Sequence, residues 1–171
     1  MTQPRSLLSS ARQLLPVAVV LELALAPAPG AAYELHLNCG STSYTAQDGT
    51  VFAADRAYAP GDAGYLPTDA WSETTWHVIG GTPDNNLYAS VRNSPGSPPL
   101  VPLEYRFDVP NDDYLVTLHL TYIYKHSTGE LQFDILIEGQ EVFSNIDLYA
   151  LVQRTYAIDF RAAAMVTESF P

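Results

Sequence analysis

Tyr114-Leu115-Val116-Thr117-Leu118-His119-Leu120-Thr121-Tyr122-Ile123-Tyr124 decides the fold. The stretch is rich in β-branched and aromatic residues and runs on toward Gly129. Such side chains suit a pleated, half-buried surface, so it reads as one long strand. Leu131-Gln132-Phe133-Asp134-Ile135-Leu136-Ile137 follows, then Glu138-Gly139-Gln140 and Glu141-Val142-Phe143. A short Gly-containing turn between two apolar runs is a hairpin signal. Working outward, Glu34 to Cys39, Leu87 to Val91, Glu104 to Val109 and Thr155 to Phe160 show the same period of two, and helical periodicity is scarce. Seven or so short antiparallel strands predict an all-β, jelly-roll-like sandwich. The prolines and glycines fall mostly between these runs, as loop punctuation does. Residues 40–86 and 93–102 break the rhythm and are expected to be long loops, the usual home of binding residues.

The bulk composition narrows the function. The chain has 171 residues, room for one domain with its own core. It carries 8 Lys+Arg against 19 Asp+Glu, a formal net charge of −11. So negative a surface repels phosphate backbones and anionic membranes, which argues against nucleic-acid binding. Neutral sugars and cationic partners remain compatible. The single cysteine, Cys39, forms no intrachain disulfide and reads as a buried thiol in a strand. No N-x-S/T acceptor occurs, because Asn93-Ser94-Pro95 has its hydroxyl one position early.

Residues 1–32 read as an address rather than as part of the fold. Arg5 and Arg12 precede the apolar run Leu14 to Leu21, and small residues follow in Ala24-Leu25-Ala26 and Gly30-Ala31-Ala32. That order is expected of a secretory signal peptide, with a mitochondrial presequence as its rival and Glu22 as the residue out of place. The run is too short to be read as a membrane span. The expected organisation is therefore a leader over 1–32 and one domain over 33–171, secreted or in the endoplasmic reticulum lumen.

The order of small motifs resembles the malectin and malectin-like family. The series is Asn38-Cys39-Gly40, Asp48-Gly49, Phe52, Asp55 and Tyr58, then Leu87-Tyr88 with Arg92, and Tyr105 with Phe107 before Pro110-Asn111. Asp113 to Leu120 follows, and Gln132 to Ile135 with Glu138-Gly139, Val142 and Ile146-Asp147 closes it. No one motif is diagnostic; their order over about 34–160 carries the resemblance. It implies a non-catalytic lectin for glucose-containing oligosaccharides or glycoprotein glycans. It also implies Tyr88 and Tyr124 as ligand residues, Tyr65 as a third, and Lys125 where the family places an aromatic ring. The family aspartate has no counterpart. The family domain continues for two or more strands past the match, and residues 161–171 show no such alternation, so missing closing strands and an exposed edge are expected.

The chemistry suits a sugar independently of the family. A pyranose has an apolar C–H face and a rim of hydroxyls, and Tyr and Trp offer an apolar ring with a polar tip. The chain has 11 Tyr and 2 Trp, Trp71 and Trp76, with Asp62, Asp69 and Asn85-Asn86 as hydroxyl partners. Tyr105, Tyr114 and Tyr122 are read as structural. Catalytic groups are thin. Asp112-Asp113 reads as a solvated turn, nothing brings Glu130 and Glu138 together as a glycosidase pair, and His36, His77, His119 and His126 lack metal spacing. No cofactor is expected; Ca²⁺ on Asp48, Asp55 or Asp62 is the one hard-oxygen alternative. The competing functions are a protein-interaction or receptor-ectodomain module with a secretory-pathway partner, and an accessory domain of a glycoside-active enzyme.

Overall fold

The long strand organises the molecule. The structure is a computed structural model and describes residues 6–9, 18–25, 33–94, 101–124 and 127–167. Its elements run β1 (Ser6–Ser9), β2 (Ala18–Leu25), β3 (Glu34–Asn38), β4 (Tyr44–Thr45), β5 (Val51–Ala54), β6 (Ala63–Leu66) and β7 (Trp71–Thr74). They continue with β8 (Ser90–Asn93), β9 (Glu104–Phe107), β10 (Asp112–Thr121), β11 (Phe133–Ile137), β12 (Gln140–Ile146), helix α1 (Leu148–Val152) and β13 (Ala157–Val166). One sheet has the order β12-β11-β1-β9-β6, a second the order β13-β10-β2-β3-β5-β4, and β7 pairs with β8 alone. The expected all-β sandwich is what forms.

Period two explains how β10 serves both faces of its sheet. Tyr114, Val116, Leu118 and Leu120 point into the main core, where they join Tyr105 and Phe107 of β9 and Phe133, Ile135 and Ile137 of β11. The residues between them include His119, which meets Phe52 and Tyr88 edge-on with ring centroids 6.2 and 5.8 Å away. Phe52 and Tyr88 belong to a smaller cluster with Ala46, Ile79 and Leu87. Tyr105, Tyr114 and Tyr122 are buried, as structural residues should be. Cys39 is a buried free thiol. The β11–β12 hairpin turns at Glu138 and Gly139, with φ of 50° and 73° between the paired Ile137 and Gln140. Both central residues in the left-handed region match the right-handed twist of the flanking strands.

Four expectations need correction. Residues 40–86 are not one long loop, because β4 to β7 lie there; strands of 2–4 residues are too short to show a period. The strand expected over 87–91 begins at Ser90, since Leu87 N–H turns back onto the Asp84 carbonyl at 3.0 Å. Asp112 and Asp113 open β10 opposite Val166 and Met165 rather than forming a turn. The last strand does not end at Phe160. It runs ten residues to Val166, fully registered against β10, because that long edge supplies the backbone partners that an Ala-rich run does not select by itself. Of the expected leader, residues 1–5, 10–17 and 26–32 lie outside the described residues, and the backbones of β1 and β2 pair within the two large sheets.

One buried ion pair ties these parts together. The Asp55 side chain is 1% exposed, and its Oδ2 accepts from Gly40 N–H at 2.6 Å and from Arg92 Nε at 2.8 Å. The Tyr105 hydroxyl adds a third donor at 3.2 Å. Arg92 also donates to the Ala70 carbonyl at 3.1 Å and lies 3.9 Å from the Tyr65 ring centroid. Burial pushes the Asp55 carboxyl up, and these donors with the Arg92 charge oppose it. Arg92→Ala should therefore lower the unfolding free energy by about 3–5 kcal/mol in urea titration, because it strands a buried carboxylate. A loss below about 1 kcal/mol, the size of a surface pair, would refute that role.

Candidate functional site

Two polar–aromatic clusters stand out, and each contains one of the tyrosines expected at a ligand. The first is a cleft of about 470 Å³ between the segment 81–88 and the start of β13. Phe52, Leu87 and Tyr88 line it with Thr50, Thr82, Asp48, Asp84, His119 and Asp159. Tyr88 is only 6% exposed, so its ring belongs to the packing and its hydroxyl to the cleft. That hydroxyl donates to Asp159 Oδ1 at 2.8 Å and lies 3.0 Å from His119 Nδ1, which is itself 2.8 Å from the same oxygen. Both strands hold these groups rigidly: His119 and Asp159 are direct partners in the β10–β13 ladder.

Three carboxylates ring the cleft, and the protein donors fall on Oδ1 in each. Asp84 Oδ1 accepts from the Tyr44 hydroxyl at 3.0 Å and Gln47 N–H at 2.8 Å. Asp48 Oδ1 accepts from Thr50 N–H at 2.9 Å, and Asp159 Oδ1 from Tyr88. Burial raises the Asp159 carboxyl, but hydrogen bonds from His119 and Tyr88 and the charge on Arg161 outweigh it and hold it below the usual carboxylate range. Thr50 N–H does the same for Asp48. The cleft thus sets carboxyl acceptors over an apolar floor, which is the chemistry that receives hydroxyl donors.

The second cluster surrounds Tyr124. Its hydroxyl donates to Glu73 Oε2 at 2.7 Å and accepts from Asn93 Nδ2 at 3.3 Å. Burial, and then the bond to Glu73, push this phenol well above its ordinary value. Tyr65 sits elsewhere, with Arg92 over its ring and Tyr105 at its edge. The three tyrosines have different partners: Tyr88 lines the cleft, Tyr124 bonds to the β7–β8 pair and Tyr65 packs on the buried Arg92. Lys125 lies outside the described residues. Asp48, Asp55 and Asp62 also part company, bonded to Thr50, Arg92 and Arg56 respectively, and no group of three or more metal-type side chains occurs among the described residues. Among those residues, too, no helix is long and apolar enough to cross a membrane. His119 and Asp159 were missed as site residues because only strand register brings them to Tyr88.

Comparison with known proteins bears on this geometry. Residues 33–170 match the family model for the Malectin domain. A comparison with curated proteins found no match. Among solved structures, the Bacteroides uniformis beta-glucuronidase is similar at TM-score 0.67 and 20% identity, over 86% of this chain and 19% of that one. Bacteroides uniformis beta-glucuronidase 2 is similar as well. Its complex with cyclophellitol-6-carboxylate aziridine gives TM-score 0.66 and 22% identity, and its calcium-binding mutant 0.66 and 19%. Both cover 86% of this chain and 19% of the other. The chain thus spans about a fifth of these relatives (19%), and the likeness is one of fold.

The Asp159 cluster makes a pH prediction. A carboxyl held below its unfolded value adds stability that is present above about pH 4 and lost as pH falls through the lower folded value. Asp159→Asn should flatten the acid limb of a stability-versus-pH curve from urea titrations. Identical limbs for the two proteins would show that the cluster carries no such linkage.

Proposed function

The chain belongs to the malectin domain family, and from that membership we propose that it is a non-catalytic carbohydrate-binding module for glucose-containing oligosaccharides or glycoprotein glycans. The observation that carries the reading is the cleft beside Tyr88, where Asp48, Asp84 and Asp159 surround Phe52, Leu87 and the tyrosine edge. A pyranose fits this pattern. Its C–H face meets the apolar floor, and vicinal hydroxyls donate to the carboxylates in charge-assisted bonds. Tyr88 holds Asp159 in place while lining the cleft, and Tyr124 is a second ligand contact. Tyr65 acts through Arg92, and Lys125, the next residue in the sequence after Tyr124, stands where the family has an aromatic ring.

The module is not an enzyme in this reading. The Tyr88–His119–Asp159 cluster looks superficially like a catalytic triad. Its donors converge on one carboxylate oxygen, however, which fixes an imidazole without activating a nucleophile. The chain works in the secretory pathway, in the endoplasmic reticulum lumen or outside the cell, with a mitochondrial destination as the alternative. Residues 1–32 serve as its leader and 33–171 as the binding domain. A second reading, a protein-interaction module, is favoured by Trp76 and Val78, which stand 87% and 80% exposed two residues apart. An accessory role beside a glycoside-active enzyme is compatible with either.

A glycan array probed with the full chain separates these readings. Wild type should bind glucosyl oligosaccharides, and Asp84→Ala should weaken that binding about tenfold with an unchanged circular dichroism spectrum, as loss of a charged acceptor implies. A folded wild type that binds no glycan would move the assignment to the interaction module.

A further inference from the structure

Each large sheet is joined across its middle by a strand from the N-terminal segment. In the six-stranded sheet β2 lies between β10 and β3, and in the five-stranded sheet β1 lies between β11 and β9. The β2 backbone is in register with β10 along its whole length, from Ala18 opposite Thr121 to Leu25 opposite Tyr114. On its other side it is in register with β3, from Val20 opposite Asn38 to Ala24 opposite Glu34. The β1 pairing is shorter: Ser9 meets Leu136 of β11, and Ser6, Leu8 and Ser9 meet β9.

Without β2 the six-stranded sheet falls into two pieces. Among the described residues β10 would keep only β13, and β3 only its parallel pairing with β5, Leu37 with Ala53 and Asn38 with Ala54. The two edges left behind would stand two strand spacings apart, about 9–10 Å, too far for a backbone hydrogen bond. These edges adjoin the core, since Leu37, Leu118 and Leu120 are at most 1% exposed. Buried N–H and C=O groups without partners are costly, so β10 and β3 need a strand between them. Residues 18–25 supply it.

The stretch suits a strand as well as an address. Ala18-Val19-Val20-Leu21-Glu22-Leu23-Ala24-Leu25 contains two β-branched valines and no glycine or proline, as an interior strand should. Glu22 is out of place in the apolar middle of a leader. In the sheet its register partners are Thr117 and His36, and an acid opposite a histidine is a favourable cross-strand combination. The strand accounts for the one residue that an address alone does not.

We propose that residues 18–25 stay in the finished protein as an interior strand of the six-stranded sheet, so that the leader is kept after it has addressed the chain and is not cut off before Tyr33. Targeting then has to precede folding, because closure of the sheet encloses the same eight residues that carry the address. This role goes beyond the carbohydrate reading and does not depend on it.

Hydrogen exchange of the purified full chain, read by mass spectrometry, tests the role. Amides of 18–25 should exchange at least about a hundredfold more slowly than in an unfolded chain and in the same range as those of β10, because a strand paired on both sides opens only with its sheet. Val20→Pro is the companion variant. Proline in a strand bonded on both sides removes a ladder bond whichever way the N–H points, so the variant should lower the urea midpoint and speed exchange in β3 and β10. The folded protein recovered from eukaryotic cells should have an intact mass that includes residues 18–25. Exchange of 18–25 at the unfolded rate while β3 and β10 stay protected would overturn the proposal. So would a Val20→Pro protein as stable as wild type, or a folded protein from those cells that begins at Tyr33.

Discussion

The carboxylate of Asp55 is the point on which the structure hangs. It receives the end of β3 through Gly40, β8 through Arg92 and β9 through Tyr105. Those strands belong to the six-stranded sheet, the separate pair and the five-stranded sheet. One side chain therefore fixes how three sheets sit against each other. Neither partner could be buried alone, since a desolvated charge without its counter-ion is among the costliest groups a core can hold. Arg92 completes the arrangement by donating from Nη1 to the Ala70 carbonyl and lying over the Tyr65 ring. A guanidinium suits this role because it can bond in its plane and stack on a ring at once.

From that pin the chemistry spreads by alternation. β8 points Arg92 at Asp55 and Asn93, also buried, at Tyr124. β10 spends Leu118 on the sandwich interior and His119 on the cleft. In both strands one residue holds the fold and its neighbour joins a second polar cluster. The surfaces inherit their rigidity from the core without any loop having to be ordered first, and a preorganised site loses less freedom when a ligand arrives.

How much of this the sequence shows depends on the range of each signal. The eleven-residue run 114–124 and the Glu138-Gly139 turn declare themselves locally, so the sandwich and its β11–β12 hairpin were legible. The family order of motifs located Tyr88 and Tyr124 as residues of interest. Four-residue strands such as β6 and β7 were not legible, because two alternations are no longer than chance. Nor was the tail Ala162-Ala163-Ala164, which is extended only because β10 offers ten residues of partners. The resemblance implies Tyr88 as a ligand residue, but its packing with Phe52 and Leu87 is not visible in the sequence. The pairing of Glu73 with Tyr124 spans 51 positions and that of Tyr88 with Asp159 spans 71, so neither leaves a local trace.

The face-sorting of β8 also limits how such a protein can change over generations. A single-residue insertion or deletion in Ser90–Asn93 would turn the arginine away from Asp55 and the asparagine away from Tyr124. It would damage anchor and surface together, so length changes here are barred by fold rather than by ligand. Point replacements at the exposed Trp71 meet no such veto. Lineages descended from this chain should therefore vary that side chain while the spacing within β8 stays frozen.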